Sequence, residues 1–391
     1  MTAALVEALR ARDGARAMAL LERRLDGPGD VGSLLLGAVE ALVAGDGDRD
    51  AFTAFCAACP DDFGLRGILE YGQACLAVRD GDLAAVVRLL RDAARHAVQA
   101  QDLFVRDRGF LTGALPIFVQ QAFLAEGADY APSACLPPPV PAPLAAPPPA
   151  GVPVVVAACN GAYFDLFFAA FHASLGQWDP APALHLHVVN PTAAGEAAMA
   201  ALDGDGAVAF TREASDQGAP YFAGARFLVL EALLDHYRRP LVVSDIDVEF
   251  RRPPGEVLAA AAAAGADLAY FAAPSPSPSL TYHAQLTVFA DSTPARRIAR
   301  ETSAYLRAKV LEKPVWTVDQ VGLMRAVLMA RADPARPARI HDLNQDFGHI
   351  GAVQEVQDMP LAAKRNLRGL DDGRLRVTFD DQGKPLIQSV A

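Results

Sequence analysis

The chain has 391 residues, 52% of them hydrophobic, and a formal net charge of −11 at neutral pH. That acidity argues against a nucleic-acid polymer as partner, though not against a single nucleotide. No stretch approaches the ~20 unbroken apolar residues of a membrane span. Five cysteines, an odd number in a long chain, suggest a reducing compartment rather than a disulfide framework. The N-terminus lacks a basic region followed by an apolar core, so a cytoplasmic location is predicted.

The first 135 residues read as all-helical and repetitive. Asp13-Gly14, Asp46-Gly47 and Asp80-Gly81 each fall between two helical segments, and their glycines are 33 and 34 residues apart. Ala17, Ala51 and Ala85 follow three or four residues later, where small side chains allow close helix contact. Leu36-Gly37 and Tyr71-Gly72 supply small and aromatic packing positions before the second and third turns. A period near 34 with helix-turn-helix units resembles degenerate tetratricopeptide (TPR) repeats, which leave a concave surface for partners; a plain helical bundle is the alternative. Cys56 and Cys59 form a Cys-x-x-Cys with no second pair nearby, which favours core thiols over zinc or redox chemistry.

Residues 136–152 contain Pro137-Pro138-Pro139 and Pro147-Pro148-Pro149, a semi-rigid linker. From 153 to 391 the pattern alternates between strands and helices. Strands are predicted at 153–159, 184–190 and 207–212, with helices at 163–176 and 193–202 between them. A longer helix from Tyr221 to Tyr237 feeds a strand from Leu241. This succession implies an α/β domain with a mainly parallel sheet and helices on both faces. His185 and His187 share a strand face, but with no third ligand nearby they read as solvated or hydrogen-bonded residues rather than a metal pair. Beyond residue 250 come helix 255–264, strand 267–272, a Pro/Ser loop at 274–279, strand 285–290, helices 294–310 and 318–330, and a hairpin at 374–379 and 385–390.

The densest chemistry lies in Leu241-Val242-Val243-Ser244-Asp245-Ile246-Asp247-Val248-Glu249-Phe250. Alternation along one strand would put Asp245, Asp247 and Glu249 on one side. Carboxylates leaving a buried strand repel one another unless a cation joins them. A divalent metal holding a phosphorylated ligand is one solution, and a solvated strand end is the other. Upstream, Arg226 shares a helix face with Phe222 and Leu230, so it must snorkel, pair with an acid or meet an anion.

Helix with arginine, apolar strand, then Asp-x-Asp resembles glycosyltransferases of the GT-A fold, especially family 8 and its bacterial relatives. Three further pieces agree in order. Val154 to Tyr163, with Ala158, Cys159 and Asn160, is similar to the family's first strand and nucleotide-binding loop. Trp316-Thr317-Val318-Asp319-Gln320 looks like its Asp-Gln element beneath the transferred sugar. His349-Ile350-Gly351 is similar to its C-terminal motif supplying a third metal ligand. The family's Lys-Pro-Trp continuation does not follow, and Asn160 stands where an acidic residue is common. The resemblance covers roughly residues 152 to 352.

It implies a hexosyltransferase-like enzyme moving sugar from a nucleoside-diphosphate sugar, a UDP-sugar in the family; helical repeats commonly recruit partners, so a protein or glycan acceptor is expected to be met through the helical domain. In that reading Asp245, Asp247 and His349 hold Mn²⁺ or Mg²⁺, and Ala158, Cys159, Asn160, Tyr163, Arg226 and Ile246 contribute to the nucleotide site. Asp319 and Gln320 contact the sugar; otherwise Asp319 is a helix cap and Gln320 merely polar. Two other classes remain open. The Asp-x-Asp also fits a haloacid-dehalogenase-like phosphatase, with Lys309, Lys313 and Asp371-Asp372 as its other parts. A non-catalytic helical adaptor carrying a degenerate transferase domain is the second.

Overall fold

A computed structural model describes residues 2–11, 13–25, 31–45, 48–59, 65–99, 135–141, 146–202, 206–273, 277–312, 318–349, 351–355, 375–379 and 385–389. Asp46-Gly47, the 274–276 part of the Pro/Ser loop, Lys313, Trp316-Thr317, Ile350 and Asp371-Asp372 lie outside the described residues. The chain divides into two compact units. One comprises residues 1–129, 274–281 and 370–391, the other residues 130–273 and 282–369.

Among the described residues of the first unit, six helices form three successive pairs: α1 (Thr2–Arg10) with α2 (Gly14–Leu25), α3 (Val31–Ala44) with α4 (Arg49–Ala58), and α5 (Arg66–Asp80) with α6 (Leu83–Gln99). The leading helices stack, α1 on α3 and α3 on α5. Gly81 closes α5 in the left-handed conformation, at φ 80°, which only glycine adopts without strain. Gly67 lets α5 approach α6, because a Cβ there would stand 2.6 Å from the Ala93 carbonyl oxygen. Cys56 and Cys59 are buried free thiols, and burial pushes the Cys56 thiol up to about 12, so neither behaves as a ready nucleophile. Residues 375–379 and 385–389 pair as an antiparallel hairpin, as predicted.

The second unit is a mixed α/β fold around a seven-stranded sheet, ordered β3-β2-β1-β4-β7-β6-β8. Its strands are β1 (Val154–Asn160), β2 (Ala183–Val189), β3 (Val208–Glu213), β4 (Leu241–Ser244), β6 (Leu268–Phe271), β7 (His283–Phe289) and β8 (Ile340–Asp342). β1 runs parallel to β2 and β4, and β2 parallel to β3. β7 is antiparallel to both neighbours, so the sheet is mainly rather than wholly parallel. The apolar runs are buried throughout: every residue of β2 is buried, its histidines included.

Helices cover both faces. α7 (Gly161–Gly176) sends Phe164, Phe167 and Phe171 into a core with Val155, Ala157, Leu186 and Val242. On the opposite face α9 (Ala219–Leu228) packs on β1, and α10 (Leu230–Tyr237) follows it. The single helix predicted from Tyr221 to Tyr237 therefore bends once, at Val229 (φ −90°, ψ −10°). Hydrogen bonds from Val229 N to Ala225 O and from Leu233 N to Val229 O carry the ladder across the bend. α12 (Thr293–Lys309) and α13 (Val318–Arg331) pack against α9. α8 (Ala193–Leu202) and α11 (Pro254–Ala263) complete the layer around the sheet.

The Asp-x-Asp segment departs from the predicted continuous strand. β4 stops at Ser244, residues 245–247 leave the sheet, and Val248–Phe250 forms a separate strand, β5, antiparallel to β9 (Val353–Glu355). Asp245 N still donates to Gln285 O at 2.9 Å, the last bond of the β4–β7 ladder. The simple alternation that would align Asp245, Asp247 and Glu249 therefore does not apply.

Candidate functional site

β1 and β4 run side by side and end at the same edge of the sheet, where the parallel arrangement opens a crevice. A cleft lies there, walled by the end of β1, the start of α7, one side of α9 and residues 245–247. Ala158, Cys159, Asn160, Tyr163, Arg226, Asp245, Ile246 and Asp247 all line it, so the structure gathers the eight residues from three separate sequence segments. Ala219, Phe222 and Ala223 line it as well. Sequence reasoning gave them no site role. The signal was present in Phe222, four residues before Arg226 and therefore on the same helix face.

Asn160 caps α7, its side-chain oxygen accepting from Tyr163 N at 2.9 Å. An asparagine suits that position because the amide oxygen meets an orphan N–H at the helix start. Gly161 follows at a place with no room for a Cβ, which would meet the Asn190 carbonyl oxygen and Thr192 N. The helix start is thus held against the 190–192 turn, and Tyr163 is brought to the cleft wall.

Arg226 organises the other side. It is 3% exposed, and a buried guanidinium must find partners. It ion-pairs with Asp245 at 2.8 Å through Nη1 and with Asp319 at 3.1 Å through Nη2. It also donates to the carbonyl oxygens of Ala223 and Ala284. Asp319 lies in the first turn of α13, and the side chain that sequence alone left between helix cap and functional acid is an arginine partner. Asp319 and Gln320 do not line the cleft themselves. Gln320 is 9% exposed, and its Oε1 is buried with no hydrogen-bond partner among the described residues.

His349 stands apart. It is exposed, in the turn after the short helix α14 (Asn344–Phe347), and does not line the cleft. No group of three or more His, Cys, Asp or Glu side chains able to hold a metal occurs among the described residues. The carboxylates brought together are Asp245 and Asp247, the latter 5% exposed. Of the described residues lining the cleft, Arg226 is the one cation. The guanidinium is already engaged by Asp245 and Asp319, and Asp247 adds a further carboxylate to the cleft lining. An anionic ligand entering alone would be repelled, whereas a divalent cation would be attracted.

His185 and His187 are buried and hydrogen-bonded, one of the two arrangements anticipated for them. Burial, with His187 and His236 nearby, drives the His185 imidazole down to about 3. Lys309 is buried at the end of α12 and does not line the cleft.

No protein-family model and no curated protein matches the chain. Among solved structures it is similar to the bifunctional glycosyltransferase WbbM in its apo form, at 14% identity over 52% of this chain and 40% of that one, with a TM-score of 0.34. It is also similar to the galactosyltransferase LgtC in complex with donor and acceptor sugar analogues, at 14% identity over 45% of this chain and 70% of that one, TM-score 0.34. A third is mouse xyloside xylosyltransferase 1, apo form, at 11% identity over 49% of this chain and 85% of that one, TM-score 0.32. The chain thus spans 40% of the first of these. No described helix is long and apolar enough to cross a membrane.

Proposed function

We propose that the second unit is a GT-A-like glycosyltransferase that moves a sugar, hexosyl in the simplest case, from a nucleoside-diphosphate donor to a protein or glycan acceptor. The observation that carries this reading is the cleft itself: Asp245 and Asp247 at its rim, Arg226 bridging Asp245 to Asp319, and the Asn160–Tyr163 helix start opposite. The donor set suits Mn²⁺ or Mg²⁺, which bind through one or two carboxylates and take their other ligands from phosphate and water. Asp245 and Asp247 would hold the ion, so a third protein ligand such as His349 is not required. When bound, the metal supplies Lewis-acid stabilisation of the departing diphosphate.

The chain's own residues do the rest. Arg226 offers a fixed positive charge that two carboxylates keep in place, so little reorganisation accompanies charge build-up on the leaving group. Tyr163 and Phe222 give the cleft apolar faces for a base or sugar ring. Cys159 and Ala158 let the end of β1 form a smooth floor. Asp319 acts through Arg226. The donor is proposed to carry UDP, and the protein to act in the bacterial cytoplasm.

The stacked helix pairs of the first unit support a TPR-like role in recruiting the acceptor. The haloacid-dehalogenase-like alternative gains no support, since Lys309 does not line the cleft.

The test is thermal shift with a panel of nucleoside-diphosphate sugars, each with and without Mn²⁺, on wild type and on Asp245→Asn/Asp247→Asn. Stabilisation by one donor that needs both metal and aspartates supports the assignment. A donor shift that persists in the double variant, or none with any donor, overturns it.

A further inference from the structure

Behind the α9 wall of the cleft runs a buried polar chain that the proposed chemistry does not use. Tyr237 Oη lies 2.8 Å from His185 Nδ1, and His185 Nε2 lies 3.1 Å from Thr211 Oγ1. Thr211 Oγ1 is in turn 3.0 Å from His187 Nδ1, and His187 Nε2 is 3.0 Å from Glu213. Glu213 also accepts from the Tyr221 hydroxyl. The chain thus threads β2 and β3 and ends on the first turn of α9.

With both imidazoles neutral, its protons have one consistent arrangement. An ionised Glu213 can only accept, so His187 carries its proton on Nε2 and leaves Nδ1 as an acceptor. Thr211 must then donate to His187, which uses its single hydroxyl proton. The Thr211 oxygen therefore accepts from His185 Nε2–H, and His185 Nδ1 accepts from Tyr237. Every donor has an acceptor, which is the condition under which a buried network rigidifies rather than destabilises. Burial works against the Glu213 charge, but the hydrogen bonds from His187 and Tyr221 outweigh it and hold the carboxyl low, in keeping with an ionised end to the chain.

We propose that Glu213, His187 and Thr211 are positioning residues for the cleft: through Tyr221 they fix the first turn of α9, and with it Phe222, Ala223 and Arg226. Tyr221 is 4% exposed, so without Glu213 its hydroxyl would be stranded or would have to pull the helix start outward. α9 is then pinned at both ends, by Glu213 at Tyr221 and by Asp245 and Asp319 at Arg226. The inference concerns the wall rather than the ligand, so it stands or falls separately from the transferase reading.

Hydrogen exchange of the full chain tests it. Tyr221→Phe and Thr211→Val should speed exchange of the 219–228 amides by about tenfold, the effect of one lost buried hydrogen bond. Thr211→Ser, which keeps the hydroxyl, should restore wild-type protection, and residues 161–176 should be unchanged in all three. Wild-type protection of 219–228 in Tyr221→Phe overturns the proposal, and so does equal loss in Thr211→Ser and Thr211→Val. So does loss spread evenly over α7 and β1, which would mark the chain as general core stability.

Discussion

Arg226 and Asp319 are 93 residues apart in sequence and 3.1 Å apart in the fold. The pair ties α9 to the first turn of α13, and because the same guanidinium holds Asp245, it also fixes the first acid of the Asp-x-Asp. Replacing Arg226 by Met would leave one nearly buried and one partly exposed carboxylate without their cation. We expect a loss of about 3 kcal/mol in unfolding free energy, the scale for breaking a buried pair. Urea unfolding measures it. Arg226→Lys should recover only part, because a point charge cannot reach both carboxylates with a planar fork. Full recovery by lysine would mean the bridge is not what holds the site.

Asp247 is expected to matter to ligand rather than to fold. It is nearly buried at the cleft rim, in a segment that has left the sheet. Asp247→Asn keeps the shape and removes a charge. Under the proposed function it should abolish metal-dependent donor binding and lower turnover by about 10²-fold. Steady-state kinetics with the donor found by thermal shift would read this, and near-normal turnover would sink the assigned metal site.

Acid should destabilise the second unit through its buried histidine. The His185 imidazole is held down to about 3 in the folded protein, against about 6.5 when unfolded. Between those values the unfolded chain binds a proton that the folded chain does not, so stability falls as pH drops from 6.5 toward 3. Glu213, whose folded carboxyl is also lowered, adds to the loss as pH falls through its folded value. The slope from His185 alone should approach about 1.4 kcal/mol per pH unit in that window. Thermal melts between pH 7.5 and 4.5 would show it. His185→Gln, which does not titrate, should flatten the profile, and an unchanged slope would locate the acid sensitivity elsewhere.

Local chemistry made the strands and the helix faces readable, whereas Ala158, Cys159, Asn160, Tyr163 and Ile246 were singled out by the resemblance. β-branched apolar runs marked β1 to within a residue and the start of β4, and Arg226 announced itself as a cation on an apolar face. Long-range pairing was not readable. Nothing near Val248 signals that it leaves the sheet to join β9, about a hundred residues on, and nothing in β7 says it runs against its neighbours. Alternation put His185 and His187 on one strand face but did not show that Thr211 of β3 and Tyr237 would meet them there. His349 stood in the right order in the chain, but order along the chain does not bring a side chain to the cleft.

The glycine at the start of α7 gives the last test. Gly161 follows the Asn160 cap, and a Cβ there would meet the backbone of the 190–192 turn, 2.8 Å from Thr192 N and closer still to the Asn190 carbonyl oxygen. Backbone cannot swing aside as a long side chain would, so either the turn or the helix start must shift. Gly161→Ala should therefore cost about 1–3 kcal/mol, the usual range for overpacking. Because the shift falls on Asn160 and Tyr163, it should also weaken donor binding, while Gly176→Ala, at the far end of the same helix with open space around its Cβ, should leave binding unchanged. Chemical denaturation and donor titration of the two variants, run together, separate crowding at the cleft from a general effect of alanine in α7. Equal behaviour of the two would show that the helix start tolerates the methyl group, and that the cleft does not depend on the close approach at Gly161.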